Sequence, residues 1–577
     1  MDRGGSLPPE LLASVLGWAD PRDVIASRMV CRFWSAVVKH SAELQYMIEL
    51  WRDGLLRGDN GQSTSVECMN RLSTRRTAWH NLQWSAQLTV QMQSLRKCQT
   101  YELVDGLLAL RDQQVDKLYI LPLPSGPRPA NQPYIRSTGI TPFNFQNFTI
   151  DLGQDLLVIL HRLTSLPDSS TSWALDVRQL SYPNRRHPRA ALKTLPFSPV
   201  SPFEAPPNRP HITLQILDDV VAIWFMHTCR LSLVNWVKST LMRSFAFHQD
   251  PLYSELIVLE CFMLDPHSFL LICQNEPGLP HHNGGSIRLY QMSDDDQVVA
   301  HVAIFALPPV ARLSGALPRH TQTMAGPFRK QHTPASPHLQ SNDRRIISLV
   351  VWYRPLDEVP NAGSKFGIRL VIHIRTFTQV LAEPETERPL VVKAWDEWGP
   401  NQTRIFHASE MDGSWARHIH GEKMIFATAD TTHLPLLYTG FCLLDFNPAY
   451  EDASHGVSEL QIRVTTPDGY EKGHWDLSGR FHPSRVTRGI TVGLFEHRLR
   501  STLPYREIHN CIVPPEGDPQ PEYDVLPVGY GINRRPRRLA AAPVPPPLRY
   551  SRPSVTGCRP RVVDCRLKYF IDCRLRS

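Results

Sequence analysis

The first hundred residues space their apolar positions with a helical period. Leu11, Leu12, Val15 and Leu16 fall at i, i+1, i+4 and i+5, one apolar face of a short helix that fades at Gly17. Pro8 and Pro9 ahead of Glu10 put proline where a helix needs no amide donor and a carboxylate near the positive end of its dipole. Asp20, Pro21 and Asp23 predict a second start, followed by apolar positions at Val24, Ile25, Met29, Val30, Phe33 and Trp34. Ser41 predicts a cap for a helix carrying Leu44, Met47, Ile48 and Trp51, and Thr64-Ser65-Val66-Glu67 reads as a capping box opening another. These short helices hold more apolar residues than one small bundle can cover.

From about Leu118 the period becomes strand-like, and β-branched and aromatic runs recur in pairs. The pairs are Asp155 to Leu160 with Trp173 to Leu180, Val220 to Met226 with Arg230 to Val237, Phe269 to Cys273 with Ser286 to Tyr290, and Ile346 to Tyr353 with Ile368 to Thr376. Lys423 to Thr428, Phe441 to Phe446 and Leu460 to Val464 are later candidates. The spacing is irregular but close to the ~40 to 50 residues of a propeller blade. Leu231 to Trp236 and Gly473 to Asp476 stand where a degenerate WD-type repeat would fall, without the full signature. The expectation is a propeller, with a large sandwich or two smaller β units as alternatives. Ser181 to Pro210 and Leu307 to Asp343, rich in Pro, Arg, His and Ser, are predicted as solvated loops, and the segment from about Pro514 as a disordered tail.

Length and composition agree with a modular chain. At roughly 150 residues per domain, 577 residues suggest three to four units, and 42% apolar with 20% charged residues excludes disorder throughout. No apolar run approaches the ~18 residues of a transmembrane helix, so no membrane partner is expected. The formal charge of +7 is local: Val528 to Ser577 holds twelve Lys/Arg against two acids, a net +10, which leaves the rest at −3. Arg534 to Arg538 in that tail is open to three readings: a nuclear-import or anion-binding patch, a solvated extension, or a segment read from a wrong exon or frame. Aromatic residues for base stacking are sparse there, which weakens a nucleic-acid partner. Eleven scattered cysteines, an odd number, point to reduced thiols. With no clean secretory signal, the expected location is cytoplasmic, nuclear or both.

Leu7-Pro8-Pro9-Glu10-Leu11-Leu12 with Val15-Leu16, then Asp23-Val24, then Val30-Cys31-Arg32-Phe33-Trp34, resembles an F-box over about Ser6 to Ser41. Ser41 to Leu50 and Arg75 to Trp84, with a fainter echo at Leu503 to Glu507, resemble phrases in F-box proteins of mushroom-forming fungi. The resemblance implies a non-catalytic substrate receptor. F-box modules dock on the Skp adaptor of cullin-RING (SCF) ubiquitin ligases, while the rest of the chain binds a protein target. By motif match the adaptor contacts are Leu7, Pro8, Leu11, Val15, Leu16, Val30, Cys31 and Trp34, with Leu12 and Ile25 read as bundle core.

The expected fold class is therefore α+β multidomain. It comprises F-box helices at 1–50, a helical extension at 51–100, a large all-β, propeller-like recognition region at 101–511 and a basic tail at 512–577. Catalysis finds no support, since the chain has no Walker-type loop, Gly-x-Ser-x-Gly elbow, His-Glu-x-x-His or Cys-x-x-Cys. His418 and His420 would share one strand face, but nothing completes a metal site, and two surface histidines is the better reading. Asp294 to Asp296 reads as a turn, and Cys558, Cys565 and Cys573 as free thiols. Neither metal nor cofactor is expected.

Overall fold

The computed structural model describes residues 7–447 except 59–62, 81–86, 91–97, 105–106, 113–116, 123–135, 138–144, 164–171, 198–210, 248–256, 275–283, 294–298, 312–315, 329–337, 355–365, 383–389, 409–418 and 431–436. Beyond 447 it describes 480–482, 495, 501, 503, 505–511 and 567–570. Asp294 to Asp296, His418, Leu460 to Val464, Gly473 to Asp476, Arg534 to Arg538 and the last three cysteines lie outside the described residues. The tail's described segment, Leu567–Phe570, pairs antiparallel with Gln87–Val90.

Five helices open the chain: α1 (Pro9–Leu16), α2 (Pro21–Ser27), α3 (Arg32–His40), α4 (Ala42–Arg52) and α5 (Ser65–His80). Their starts follow the local chemistry. The Asp20 carboxylate accepts from Arg22 N–H at 2.8 Å, and Ser41 Oγ accepts from Leu44 N–H at 3.4 Å. Thr64 and Glu67 make the reciprocal capping box, at 3.0 and 3.3 Å. Leu12, Leu16, Val24, Val37, Val38, Leu44 and Ile48 form the core of the first four helices.

Six sheets follow, arranged as a six-bladed β-propeller. Blade 1 spans Cys98–Val104, Leu107–Asp112, Lys117–Pro122 and Arg136–Ser137. Blade 2 spans Phe145–Asp151, Leu156–Leu163, Ser172–Gln179 and Thr194–Phe197. Blade 3 spans Ile212–Leu217, Val220–Phe225, Arg230–Asn235 and Thr240–Ala246. Blade 4 spans Val258–Asp265, Ser268–Cys273, Ser286–Met292 and Val299–Ala306, with Val391–Lys393 added in parallel on its outer edge. Blade 5 spans Leu317–Ala325, Ile346–Arg354, Phe366–His373 and Thr403–His407. Blade 6 spans Ile419–His420, Lys423–Asp430, Leu437–Asp445, Tyr505–Cys511 and Arg480–His482.

Burial on both faces explains why second strands such as Leu156–Leu163, Val220–Phe225 and Ser268–Cys273 read as apolar runs. In blade 2, Leu157 and Ile159 pack towards blade 1, while Leu156, Val158 and Leu160 pack towards blade 3. Separate clusters fill the interfaces of blades 3 with 4, 4 with 5, and 5 with 6. The innermost strands are also stitched by polar groups. Asn147 Nδ2–H donates to Ile212 O at 2.7 Å, and Met263 N–H to Gln215 Oε1 at 3.0 Å. Thr323 donates both N–H and Oγ1–H to the Glu260 carboxylate at 2.8 Å.

Several expectations change. The strand-like period becomes readable only near Leu118, but the first blade already opens at Cys98. Ser181 to Phe197 is ordered: His187 and Ala190 are buried, and Thr194–Phe197 is the outer strand of blade 2 with Leu195 and Phe197 turned inward. Leu307 to Asp343 is likewise more than a loop, since Leu317–Ala325 is the first strand of blade 5. Its polar composition hides it because a first strand is buried only in part. Ile368 to Thr376 does not stay extended: the strand ends at His373 and α6 (Arg375–Leu381) begins. α7 (Trp395–Gln402) follows, and Trp398 Nε1–H donates to Ala306 O at 2.9 Å, clamping this insertion of blade 5 onto blade 4.

Candidate adaptor-docking face

The apolar positions of α1 divide between two stripes. Leu12 and Leu16 point into the bundle, while Leu11 and Val15, each one residue earlier, point out. Leu7, Leu11, Val15 and Val30 are all more than half exposed, and Pro8 and Cys31 are exposed beside them. Of the eight residues the motif nominates, two sit otherwise. Leu16 belongs to the core, and Trp34 is half-buried against its edge. Leu12 is buried as the sequence suggested, and Ile25 packs partly buried on the same core.

Two further large side chains are exposed in the turns after α1 and α2, where a helical period is no guide. Trp18, just after α1, is 91% exposed, and Met29, just after α2, is 87% exposed. Their only sequence signal was an apolar residue past the end of its helix. Six large apolar side chains left exposed on so small a helical module make it a candidate interaction surface.

The bundle is fixed to the propeller on its other side. After α4 the chain forms a short strand, Leu55–Arg57, antiparallel to His338–Gln340 from the connection between the first two strands of blade 5. Arg344 is the hub of this seam. It reaches the Glu422 carboxylate with Nε–H at 2.7 Å and Nη2–H at 2.8 Å, donates to Asn447 Oδ1 and Trp51 O, and lies over the Trp51 ring. Gln340 Nε2–H donates to Gly54 O at 2.9 Å, and Tyr46 Oη and His338 Nδ1 are hydrogen-bonded at 3.0 Å. Burial, reinforced by Arg375 and Arg344, lowers the pKa of His373 beside Glu422 to about 3, so that ring is neutral at physiological pH.

α5 braces the joint. Arg76 bridges to Glu49 at 2.6 Å and Asp53 at 2.9 Å on the α4 side. Burial raises the Glu49 pKa, but hydrogen bonds from Arg76 and Arg52 outweigh it and the net shift is downward. Trp79, near the end of α5, packs on Leu443 and stacks on the His420 ring at 6.2 Å. His420 thus serves the seam, and among the described residues no cluster of three or more His, Cys, Asp or Glu is placed to hold a metal.

Comparison with known proteins gives the helical module its family. Residues 5–46 match the F-box-like family model. No curated protein matches the chain. Among solved structures it is similar to Hsv2p of Kluyveromyces lactis, at 12% identity over 45% of this chain and 69% of that one, with a TM-score of 0.20. It is also similar to the WD40 domain of Toxoplasma gondii coronin, at 10% identity over 75% and 86%, with a TM-score of 0.29. TM-scores this low add nothing to the strand pairings themselves. The chain carries an F-box-like domain, with an uncovered apolar face, ahead of a six-bladed β-propeller.

Proposed function

We propose that the protein is the substrate-recognition subunit of an SCF-type ubiquitin ligase, with the F-box helices binding the Skp adaptor and the propeller binding a protein target. The single observation that carries this is the outward apolar face of Leu7, Leu11, Val15, Trp18, Met29 and Val30 on a domain that matches the F-box-like family. Each large aliphatic side chain taken out of water contributes roughly 1.5–3 kcal/mol, enough in sum to sustain a complex after association costs. Pro8 and Cys31 border this face, Trp34 supports its edge, and Leu16 acts from within. The seam at Arg344 supports the reading in a second way, because a receptor that presents a target must hold adaptor and target in one geometry.

In this role the protein does no chemistry of its own and works in the cytoplasm or nucleus. The fungal phrases at 41–50 and 75–84 support a relation to F-box proteins of mushroom-forming fungi. The test is co-purification of the full chain with the Skp adaptor. Wild type captures the adaptor and Leu11→Asp does not, because the complex would bury an unpaired carboxylate. A folded wild-type protein that fails to capture the adaptor overturns the proposal.

A further inference from the structure

In each blade the first-to-second and third-to-fourth connections lie on one face of the propeller, because the strands alternate in direction. The strand that follows the F-box helices docks on that face at blade 5, through His338–Gln340, with Gly54 beside Glu422 in the first turn of blade 6. Across the ring, the third-to-fourth connection of blade 2 reaches the same face. It is Ser181 to Lys193, with Arg185, Arg186, Arg189 and Lys193 and no acid.

This connection is built rather than loose. His187 is buried, hydrogen-bonded to Gln154 O at 2.9 Å, with its ring edge against Trp236. The Asp155 carboxylate accepts from Ser181 N–H and Oγ–H, and Arg189 pairs with Asp219 at 2.7 Å while lying over Trp236. Ala191 N–H donates to Val237 O and Leu192 N–H to Ser239 Oγ, which brings the exposed Lys238 alongside. The neighbouring acids Asp155 and Asp219 are thus engaged, whereas Arg185, Arg186, Lys193 and Lys238 stand in solvent around the exposed Tyr182 and Leu192. Arg185 rests on the Tyr182 ring at 4.9 Å, held face-on.

We infer that this ledge on blades 2 and 3 is a docking site for an acidic protein segment that interleaves carboxylates with apolar side chains. Four cations that no carboxylate among the described residues pairs, on a body whose net charge outside the tail is −3, match carboxylates, and Tyr182 and Leu192 supply apolar contact between them. Nucleic acid fits less well, since Leu192 offers nothing to a sugar-phosphate backbone and Tyr182 already carries Arg185. Because the anchors fix the connection beforehand, little ordering cost falls on binding. The site faces the side that carries the F-box, so a target held here lies on the ligase side of the ring; that consequence rests on the proposed function, whereas binding itself does not.

The test uses the full chain and a short fluorescein-labelled peptide of alternating glutamate and leucine, followed by fluorescence anisotropy over a salt series. The basic tail also attracts acids, so the informative quantity is the change caused by the double variant Arg185→Glu/Lys193→Glu. Affinity is expected to fall by about tenfold or more, with a shallower salt dependence and an unchanged melting temperature. Arg319→Glu, an exposed cation on blade 5, is expected to leave binding intact. Equal affinity for wild type and the double variant overturns the inference, as does a single-stranded oligonucleotide that binds the ledge more tightly than the peptide. Loss of adaptor capture with peptide binding intact would strike the ligase reading alone.

Discussion

The F-box helices and the propeller treat their large apolar side chains in opposite ways. Between Leu7 and Val30 the helical module leaves six of them more than half exposed, whereas the far larger propeller shows only a few scattered among its described residues, such as Tyr182, Ile257 and Leu390. The propeller closes its apolar runs blade against blade, so its stability is internal. The bundle is too small to cover its second stripe, and the uncovered stripe is available to a partner. The same kind of residue is therefore core in one region and uncovered surface in the other, and only the packing distinguishes them.

The sharpest way to break this contrast is to place a carboxylate on each stripe of α1. Leu12→Asp puts a charge into the core and is expected to cost more than the roughly 3–5 kcal/mol that a module of this size holds, so the helices lose their amide protection in hydrogen exchange. Leu11→Asp, one residue away, is expected to leave that protection in place. Next in size is the seam. Arg344→Ala strands the buried Glu422 carboxylate and is expected to cost roughly 3 kcal/mol, with calorimetry resolving separate transitions for bundle and propeller where wild type shows one.

Gly421→Ala probes the same joint more gently. Gly421 has φ +58°, and an added Cβ would stand 2.6 Å from the Gln340 carboxamide that bonds Gly54 O. A loss of about 1–2 kcal/mol in chemical denaturation is expected. The smallest effect is inside the propeller. Burial raises the Glu260 pKa, even with Thr323 donating to it, so the folded state binds that proton more tightly than the unfolded one. Its contribution is fully present below the unfolded value near 4.5 and is lost as pH rises through the raised value. Glu260→Gln keeps the bond from Thr323 N–H, lets its carboxamide donate to Thr323 Oγ1, and removes that dependence, so variant and wild type are expected to diverge in denaturation midpoint from acid to neutral pH, with the variant the more stable at neutral pH.

What the sequence made legible follows from burial. Leu156–Leu163 with Ser172–Gln179 and Val220–Phe225 with Arg230–Asn235 are central hairpins, buried on both faces, and they stand out as apolar runs. Outer strands and the first strand of blade 5 do not. Thr240–Ala246 is largely uncovered, Leu317–Ala325 reads as Pro, Arg, His and Thr, and Thr194–Phe197 contains a proline that only an outer strand tolerates. At the candidate site, the motif named most of the exposed face but could not separate Leu16 from Leu11, since i and i+5 share a helical half-turn with the core stripe. Trp18 was hidden because turns have no period, and Met29 was read only as one of the apolar positions after the second helix start. The seam was hidden because Arg344, Glu422 and Trp51 meet only through tertiary structure.

The central claim is that the uncovered stripe of α1 and the turns beside it form the adaptor interface. The most direct measurement is a calorimetric titration of the purified Skp adaptor into the full chain at two temperatures. One adaptor per chain, a negative heat-capacity change from apolar burial, and loss of the signal in Leu11→Asp are predicted. A folded wild-type chain that gives no heat at either temperature, or a Leu11→Asp protein that binds as wild type does, would contradict it.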